Sequence, residues 1–525
     1  MWDRRRTLIF AICCSSLFVV GLDNTIVNIA LPAISTDLNA SPSGLQWTID
    51  AYAIVLASLL IVSLDITVVN VALPAIGHDL HAPVSGLQWT IASYTLVVAS
   101  FLMLSGSTGD RVGRRRTFQA GLAVFTLGSL LCSLAPGLGW LVAFRMVQAV
   151  GGSMLNPVAM SIITNTFTQP AERARAIGVW GGVVGISMAA GPLVGGALVG
   201  SVGWRGIFWV NIPVGLAAIV LTARYVPESR APRGRRPDPV GQLLVIATLA
   251  GLIYAIIEGP GAGWASPRIV GCFALSAAAL AGLAVYEPRR QDPLIDLRFF
   301  RSVPFSAATV IAISAFAGLG GFLFLNTLYL QEVLGFSALR AGLYTLPMAL
   351  MTLICSPLSG RAVGSRGPRR PLVIAGVTMT VSAVLLTGLT AHTSTAWLFL
   401  AYVLFGIGFG TVNAPITNAA VSGMPRSQAG VAAAIASTSR QVGQSLGVAI
   451  MGSVVISALT GPLRLGFAQA SHVGFWVIAG CGAMVLVLGL ISSSAWANRT
   501  AERTAARLTP AEPGDTPASL PNMLR

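Results

Sequence analysis

Three polar residues lie inside long apolar stretches of the sequence. Asp65 lies in the apolar run 49–74, and Arg145 and Gln148 lie in the apolar segment 139–164. In a helix, a spacing of three residues places Arg145 and Gln148 on one face. A lone arginine deep in a membrane helix costs about 2.5–3.5 kcal/mol on insertion scales, so its position indicates a partner or a cavity. The chemistry open to the three residues is ion pairing, hydrogen bonding to a solute and proton uptake by the carboxyl group.

Asp65 and Arg145 each admit two interpretations. Asp65 either binds and releases protons as a cavity opens to one side or the other, or it caps a structural hydrogen-bond network. Arg145 either faces that cavity or extends its head group to the membrane surface, and its depth in the segment favours the cavity. We take Asp65, Arg145 and Gln148 as the candidate cavity and proton-coupling site.

The composition indicates which kind of element must position these residues. Of 525 residues, 54% are hydrophobic and 10% are charged, and the mean hydropathy is +0.76. A soluble globular chain has about 25% charged residues, so most of this chain must face hydrocarbon. The composition therefore predicts an all-α fold, a polytopic membrane helical bundle.

Several kinds of enzyme are disfavoured by the sequence. All 33 basic residues are arginine, and a Walker A loop needs a lysine for the phosphates, so ATP hydrolysis of that type is excluded. None of the six cysteines forms a CxxC pair, and the four histidines lack metal-ligand spacing. The pattern Gly443-Gln-Ser445-Leu-Gly447 resembles a hydrolase motif, but it lies in an apolar segment without the required strand–turn–helix context. We expect no enzyme activity, no metal and no cofactor; if the protein pumps, an ion gradient or a separate subunit must supply the energy.

The apolar runs and the residues that break them predict fifteen spans, each near the 20 residues that cross a bilayer. The predicted spans are 7–31, 49–74, 88–107, 117–135, 139–164, 176–200, 207–225, 239–257, 268–286, 304–328, 341–359, 371–390, 396–418, 430–456 and 473–495.

The arginines predict the orientation of these spans through the positive-inside rule. With loop 109–116 in the cytoplasm, twenty-four arginines fall on the cytoplasmic side and four outside, while Arg145 and Arg440 lie within or at the end of spans. The net charge of +15 is therefore a topology signal. It is scattered over short loops, which argues against nucleic-acid binding. The arginines at 4–6 do not fit, because fifteen crossings would place them outside.

A tandem repeat explains this misfit. Residues 17–58 recur as 59–100 without a gap, and 26 of the 42 positions are identical. The second copy runs directly into the arginine loop, so we assign it the working position. We expect helix 7–31 to lie outside the core and Asp65, rather than Asp23, to line the cavity. The start MWDRRR resembles a signal peptide but has no small-residue cleavage site, so we expect it to be retained.

Five segments, in this order and at these spacings, resemble the major facilitator superfamily, specifically its fourteen-span drug:proton antiporter branch of multidrug efflux type. They are LDITVVNVALP (64–74), GSTGDRVGRR (106–115), RMVQAVGG (145–152), the glycine pattern within 178–196, and WRGIFWVNIP (204–213). The resemblance covers residues 59–495. Two positions depart from the family pattern: Ala149 and Ser187 stand where glycine is usual.

The resemblance assigns roles to two groups of residues. It implies a cytoplasmic gating loop in which the acid pairs with helix dipoles and arginines in one state and releases them in the other, formed by Gly106, Asp110, Arg111, Gly113, Arg114 and Arg115. It also implies a closely packed antiporter motif, typical of exporters, formed by Gly178, Ser187, Gly191, Pro192, Gly195 and Gly196.

The resemblance and the spans together divide the chain. We predict a duplicated N-terminal helix (1–48), an N-terminal six-helix half (49–226), a linker with two extra helices (227–303), a C-terminal six-helix half (304–496) and a disordered cytoplasmic tail (497–525).

The function expected is proton-coupled export of hydrophobic or amphipathic drugs, antibiotics or metabolites by a multi-pass protein of the bacterial cytoplasmic membrane. Its partners would be a small-molecule substrate, protons and the lipid bilayer, and we expect a monomer. One alternative is a transporter of a single polar solute such as an amino acid, sugar or siderophore; sparse intramembrane charge disfavours it. A more remote one is a non-transporting membrane sensor or enzyme.

Overall fold

In a computed structural model, the chain is described over residues 64–508 except 167–186, 189, 232–236, 291–292, 423 and 426–427. The regular elements in these residues are helices, as a membrane interior requires, because a helix satisfies its own backbone hydrogen bonds. They are α1 (64–80), α2 (Val84–Val112), α3 (Arg114–Ser133), α4 (Leu138–Thr166), α5 (Ala190–Val202), α6 (Gly206–Tyr225), α7 (Pro239–Ala262), α8 (Pro267–Tyr286), α9 (Val303–Leu328), α10 (Ala338–Arg366), α11 (Arg369–Leu386), α12 (Thr395–Val421), α13 (Ala429–Ala458), α14 (Leu463–Ser492) and α15 (Ala495–Leu508).

Local signals explain several helix ends. Asp238 caps α7 by accepting a hydrogen bond from the Gly241 amide (2.9 Å), and Pro239 follows at the first helical position. A single residue, Gly113, separates α2 from α3; its φ of 129° lies in the region that favours glycine.

Eleven of the described helices are long and apolar enough to cross a membrane. Of the fifteen predicted spans, 7–31 lies outside the described residues, and 49–74 and 176–200 lie partly outside them. Eleven of the remaining twelve correspond to these helices. The twelfth, 117–135, corresponds to α3, which is less apolar because three arginines and Gln119 occupy its first two turns.

The helices of α1–α6 and those of α9–α14 repeat one packing pattern. In the first group α4 packs against α2 and α3, and α6 packs against α3. In the second, α12 packs against α10 and α11, and α14 packs against α11. The buried apolar side chains of the core lie mainly where these helices pack together.

Among the described residues, α2 crosses α13 and α5 crosses α10, and both crossings join the groups towards the end that the arginine loop marks as external. At the first, Gln88 of α2 donates to the carbonyls of Val448 (3.1 Å) and Ala449 (2.7 Å) in α13. At the second, a Cβ on Gly196 of α5 would stand 2.6 Å from the Cα of Leu339 in α10. Backbones can approach this closely only where a residue is small.

Polar contacts close the same end. His78 Nε2 lies 3.1 Å from Glu332 Oε1, across the two groups. Asp79, exposed at the end of α1, accepts hydrogen bonds from Trp204 Nε1 (2.9 Å) and Arg205 Nη1 (2.7 Å). These donors, Trp204 first, lower the pKa of Asp79 from its ordinary value.

The extra pair α7 and α8 packs beside the α2–α13 crossing. Gln242 of α7 donates to the Ser100 carbonyl of α2 (2.6 Å), and Trp89 Nε1 of α2 donates to Glu258 Oε1 of α7 (2.7 Å). Apolar residues of α2, α7, α8 and α13 form one cluster here. The pair therefore contacts helices of both groups.

The C-terminal segment corrects one expectation. The sequence predicted a disordered tail from residue 497, but residues up to Leu508 belong to helix α15. Its small residues recur every three or four positions and are buried, and Thr500 Oγ1 accepts a hydrogen bond from the Val303 amide (3.0 Å). Because arginines lie between these small residues, the composition of the segment suggests a disordered tail. The helical spacing of the small residues instead indicates one face that can pack. Residues 509–525 lie outside the described residues.

Candidate functional site

Asp65 of α1 and Arg145 of α4 form a buried ion pair. Arg145 Nη1 lies 2.5 Å from Asp65 Oδ2, and the two side chains are 2% and 1% exposed. The chain positions are 80 residues apart, so only the packing of α1 beside α4 brings them together. An arginine this deep is tolerated because its charge is compensated at contact distance.

The second carboxylate oxygen is also fully engaged. Asp65 Oδ1 accepts hydrogen bonds from Gln148 Nε2 (2.9 Å) and from Asn211 Nδ2 of α6 (3.0 Å). Ser129 Oγ of α3 accepts from the same two amides, at 2.7 and 3.2 Å. Donors from α4 and α6 therefore occupy both carboxylate oxygens, and Ser129 of α3 holds the two amides in place.

Arg145 uses its remaining donors within the same cluster. Nη1 also donates to Gln148 Oε1 (2.7 Å), and Nε donates to the Thr90 carbonyl of α2 (3.3 Å). The guanidinium carbon lies 4.3 Å from the centre of the Tyr94 ring, a cation–π distance. The hydroxyl of Tyr94 is buried and has no hydrogen-bond partner among the described residues.

This geometry brings together all three residues of the predicted site, Asp65, Arg145 and Gln148. In this conformation they are closed off by neighbouring side chains rather than open to a cleft. A proton that reaches Asp65 would remove one charge of the pair and weaken three charge-assisted bonds.

The arginine loop makes a second polar cluster, where α2 ends and α3 begins. Arg114 donates to Asp110 Oδ1 from Nη2 (2.9 Å) and Nε (3.1 Å). Glu228, in the segment after α6, accepts from the amides of Arg115 (3.1 Å) and Arg116 (3.3 Å) at the start of α3. A carboxylate at a helix N-terminus is favourable because the amides there are unsatisfied.

The other residues of the predicted gating loop lie around this cluster. Arg115 Nη1 donates to the Val226 carbonyl (3.4 Å), whereas Arg111 is exposed. A Cβ on Gly113 would stand 2.6 Å from Glu228 Oε1, so a side chain there would displace the acid. A Cβ on Gly106 would meet Pro157 of α4 at an ordinary 3.6 Å.

The predicted antiporter motif packs α5 against two helices. A Cβ on Gly191 would collide with Thr67 of α1, and one on Gly195 would stand 3.1 Å from the Cα of Val68. Ser187 accepts a hydrogen bond at its carbonyl from Thr67 Oγ1 (3.4 Å).

The opposite side of α5 meets α10. Gly196 faces Leu339 as described above, and the Pro192 carbonyl lies where a Cβ of Gly342 would stand. The motif thus joins the helix of Asp65 to the second group of helices. Gly178, its first residue, lies outside the described residues.

Two residues of these clusters were missed by sequence reasoning. Asn211 stands inside the segment WRGIFWVNIP (204–213), and a buried amide in an apolar run was the signal that could have found it. Glu228 lies in a polar loop after α6 and carries no local signal, because its partners are 112 residues away. In the described ranges, no three potential metal-binding side chains come together.

Comparison with known proteins agrees with this architecture. The family model of the Major Facilitator Superfamily matches residues 55–448. The chain is 37% identical over 448 residues to "Multidrug resistance protein Stp" of Mycobacterium tuberculosis, covering 85% of the chain and 75% of that protein. It is also 37% identical over 443 residues to the "Tetracenomycin C resistance and export protein" of Streptomyces glaucescens, covering 84% and 74%.

The fold is shared with a solved transporter. A bacterial homologue of the human drug peptide transporters PepT1 and PepT2 aligns with a TM-score of 0.60 at 14% identity, over 88% of this chain and 100% of that one. The predicted all-α membrane bundle of major facilitator fold is confirmed, as is a multi-pass protein of the bacterial membrane. The chain belongs to the Major Facilitator Superfamily.

Proposed function

We propose that this protein exports hydrophobic or amphipathic drugs, antibiotics or metabolites across the cytoplasmic membrane in exchange for protons. Relatives named for multidrug resistance and for tetracenomycin C resistance and export support the first part. The buried Asp65–Arg145 pair is the observation that supports the second. One proton that moves inward at about 100 mV supplies roughly 2.3 kcal/mol from the electrical term.

The proposed cycle uses the pair as a latch between helices. In the externally closed state Asp65 is ionised and binds Arg145, Gln148 and Asn211. When the external side opens, a proton neutralises Asp65, the pair separates, and α1 is released from α4 and α6. Loss of the proton to the cytoplasm restores the pair and returns the protein to its substrate-accepting state.

We further propose fourteen membrane helices in two six-helix halves, 49–226 and 304–496, with α7 and α8 between them. Three helices would join the eleven candidates: α1, α3 and α5. Their support is that all three pack within the same bundle, with α1 holding Asp65 and α5 holding the antiporter motif. Because both halves lie in one chain, we expect a monomer to suffice.

The cytoplasmic gating role of Asp110, Arg111, Arg114 and Arg115 belongs to the same proposal. The Asp110–Arg114 pair lies within the α2–α3 turn. The contacts of Glu228 tie this turn to the segment after α6. The Glu228 contacts would separate when the cytoplasmic ends of the helices move together, because the α2–α3 turn then shifts relative to the segment after α6.

Proteoliposomes with an imposed pH gradient test the function. Addition of ethidium or tetraphenylphosphonium should dissipate the gradient in the wild type. Asp65→Asn preserves side-chain size but cannot titrate, so dissipation should disappear while ethidium still binds. Asp79→Asn, an exposed acid on the same helix, is the matched control and should remain coupled.

Two outcomes would contradict the proposal. If no lipophilic cation or antibiotic in a broad panel dissipates the gradient, drug–proton antiport is wrong. If Asp65→Asn remains fully coupled, another group binds the proton.

A further inference from the structure

Arg440 is a charged residue inside the second group of helices that the proposed cycle does not use. It is the twelfth residue of α13, about 16 Å from the cytoplasmic end of that helix at 1.5 Å per residue. The other charged residues of α9–α14 lie within about two turns of a helix end. An ionisable residue at such a position is by default a candidate functional group.

The guanidinium of Arg440 is incompletely paired. Nη2 donates to Thr417 Oγ1 of α12 (2.6 Å) and Nη1 to Ser437 Oγ (3.4 Å). Its Nε is buried and has no hydrogen-bond partner in the described part of the chain. Two of its five N–H donors are therefore used, both on neutral hydroxyls.

Arg145 shows what a structurally satisfied arginine looks like in this protein. It pairs with a carboxylate and also donates to a side-chain amide and a backbone carbonyl. Across the described ranges, Arg440 has no carboxylate within ion-pair distance, and it donates to no backbone carbonyl. Its positive charge consequently has no acidic partner among the residues that the structure describes.

The neighbours of α13 place Arg440 inside the bundle rather than on its lipid surface. Gly443 and Gly447 of α13 meet α9, and Ser445 donates to a carbonyl of α2. Val442 and Leu446 pack in the cluster of α7. The bond to Thr417 directs Arg440 towards α12, so the guanidinium lies between α12 and α13.

Arg440 also lies on the cytoplasmic side of the contacts that join the two groups of helices. In the described residues, the hydrogen bonds that cross between the two groups begin on α13 at Ser445 and continue outward. Thr417 and Asn418, beside Arg440 on α12, are exposed. Thr417 accepts the Nη2 bond, so an anion that arrives from the cytoplasm would approach the guanidinium from this exposed side of α12 and would meet it before the external contacts between the groups.

We propose that Arg440 is a binding site for an anionic group, of the carboxylate class, on compounds that the transporter exports. The inference rests on the proposed function and adds a substrate feature to it. Nε is unpaired and the terminal nitrogens donate only to neutral hydroxyls, so a carboxylate that displaces a hydroxyl could pair with Nε and a terminal nitrogen together. Lysine cannot reproduce such bidentate pairing. Compounds with such a group would be recognised by α13, apart from the proton-binding pair on α1 and α4.

A pair of probes with one hydrophobic body and opposite charges tests this site. Binding of 1-pyrenebutyrate and of its trimethylammonium analogue to purified protein in nanodiscs is measured by energy transfer from tryptophan to pyrene. Arg440→Gln should weaken pyrenebutyrate binding about tenfold, equivalent to about 1.4 kcal/mol, and leave the cationic probe unchanged. Arg440→Lys should show an intermediate loss, and Arg464→Gln, an exposed arginine at the external end of α14, should bind like the wild type.

The outcomes separate this inference from the proposed function. Equal losses of both probes in Arg440→Gln, or full binding of pyrenebutyrate, would overturn the site; Arg440→Lys decides the matter if the glutamine variant does not fold. Benzoate should displace pyrenebutyrate, and displacement by inorganic phosphate instead would contradict recognition of a carboxylate. Transport of the probes in proteoliposomes is scored separately, so a protein that binds but does not transport would overturn only the export function.

Discussion

Asp65 and Arg145 show how a membrane protein can keep two charges in its interior. Each ion has low exposure, and each oxygen of the carboxylate has at least one donor. Such a pair contributes little net stability, but removal of one partner leaves the other charge without compensation. The pair is therefore better suited to a switch than to a simple structural support.

This asymmetry predicts the behaviour of a double variant. Arg145→Gln should destabilise the protein by about 3–5 kcal/mol because Asp65 is left as a buried, unpaired charge. Adding Asp65→Asn should recover part of that loss, since both partners are then neutral. Melting temperatures in detergent measure the effect, with Asp79→Asn as the control. Additive losses in the double variant would show that the two residues do not interact.

At the scale of helices, α5 is an element that packs against helices of both groups. Gly191 and Gly195 admit α1 on one side, and Gly196 and Pro192 admit α10 on another. In a membrane, apolar helices gain little from hydrophobic burial, so association depends on close packing at small residues. A glycine motif in one helix can therefore determine how the halves close externally.

Two glycines of α10 provide a matched test of this packing. A Cβ on Gly342 would meet the Pro192 backbone, whereas a Cβ on Gly360 would have open space. Gly342→Ala should cost about 1–3 kcal/mol through overpacking and disfavour the externally closed state. Spin-label distances between the external ends of α5 and α10 should increase. Gly360→Ala should behave like the wild type; an equal effect of both variants would indicate a helix-propensity change instead.

At the scale of the whole molecule, two groups of helices and an extra pair share one chain. α7 contacts α2 through Gln242 and Glu258, and it contacts α13 through Ile256 and Ser453. The extra pair therefore lies beside the crossing at which the groups meet. Any rocking of one group against the other must move these contacts.

The tandem repeat leads to a prediction about the N-terminal residues. The sequence predicts that 59–100 is the working copy of the repeated segment, so deletion of residues 1–42 should leave drug-dependent proton transport and the melting temperature unchanged. Proteoliposome transport at matched protein amounts measures this. Loss of transport with normal expression would show that the first copy has a function of its own.

The sequence alone was sufficient for the membrane class, the resemblance to the family and the candidate residues Asp65, Arg145 and Gln148. These follow from apolar length and motif spacing, which act locally along the chain. It was insufficient for the partners of those residues. The contacts of Asn211 and Glu228 became visible only in the structure, because each meets residues more than 80 positions away.

The arrangement of the helices was also not predictable from the sequence, because it too depends on contacts between distant parts of the chain. Hydropathy shows that a helix enters the membrane, but it does not specify which helix lies beside it, since lipid and neighbouring helices are similarly apolar. The closure of α5 on α10, the isolation of Arg440 and the docking of α15 were decided by tertiary packing. The sequence determined that this protein is a helical membrane bundle with a few internal charges. The packing decided that Asp65 and Arg145 are paired, whereas Arg440 meets no carboxylate among the described residues.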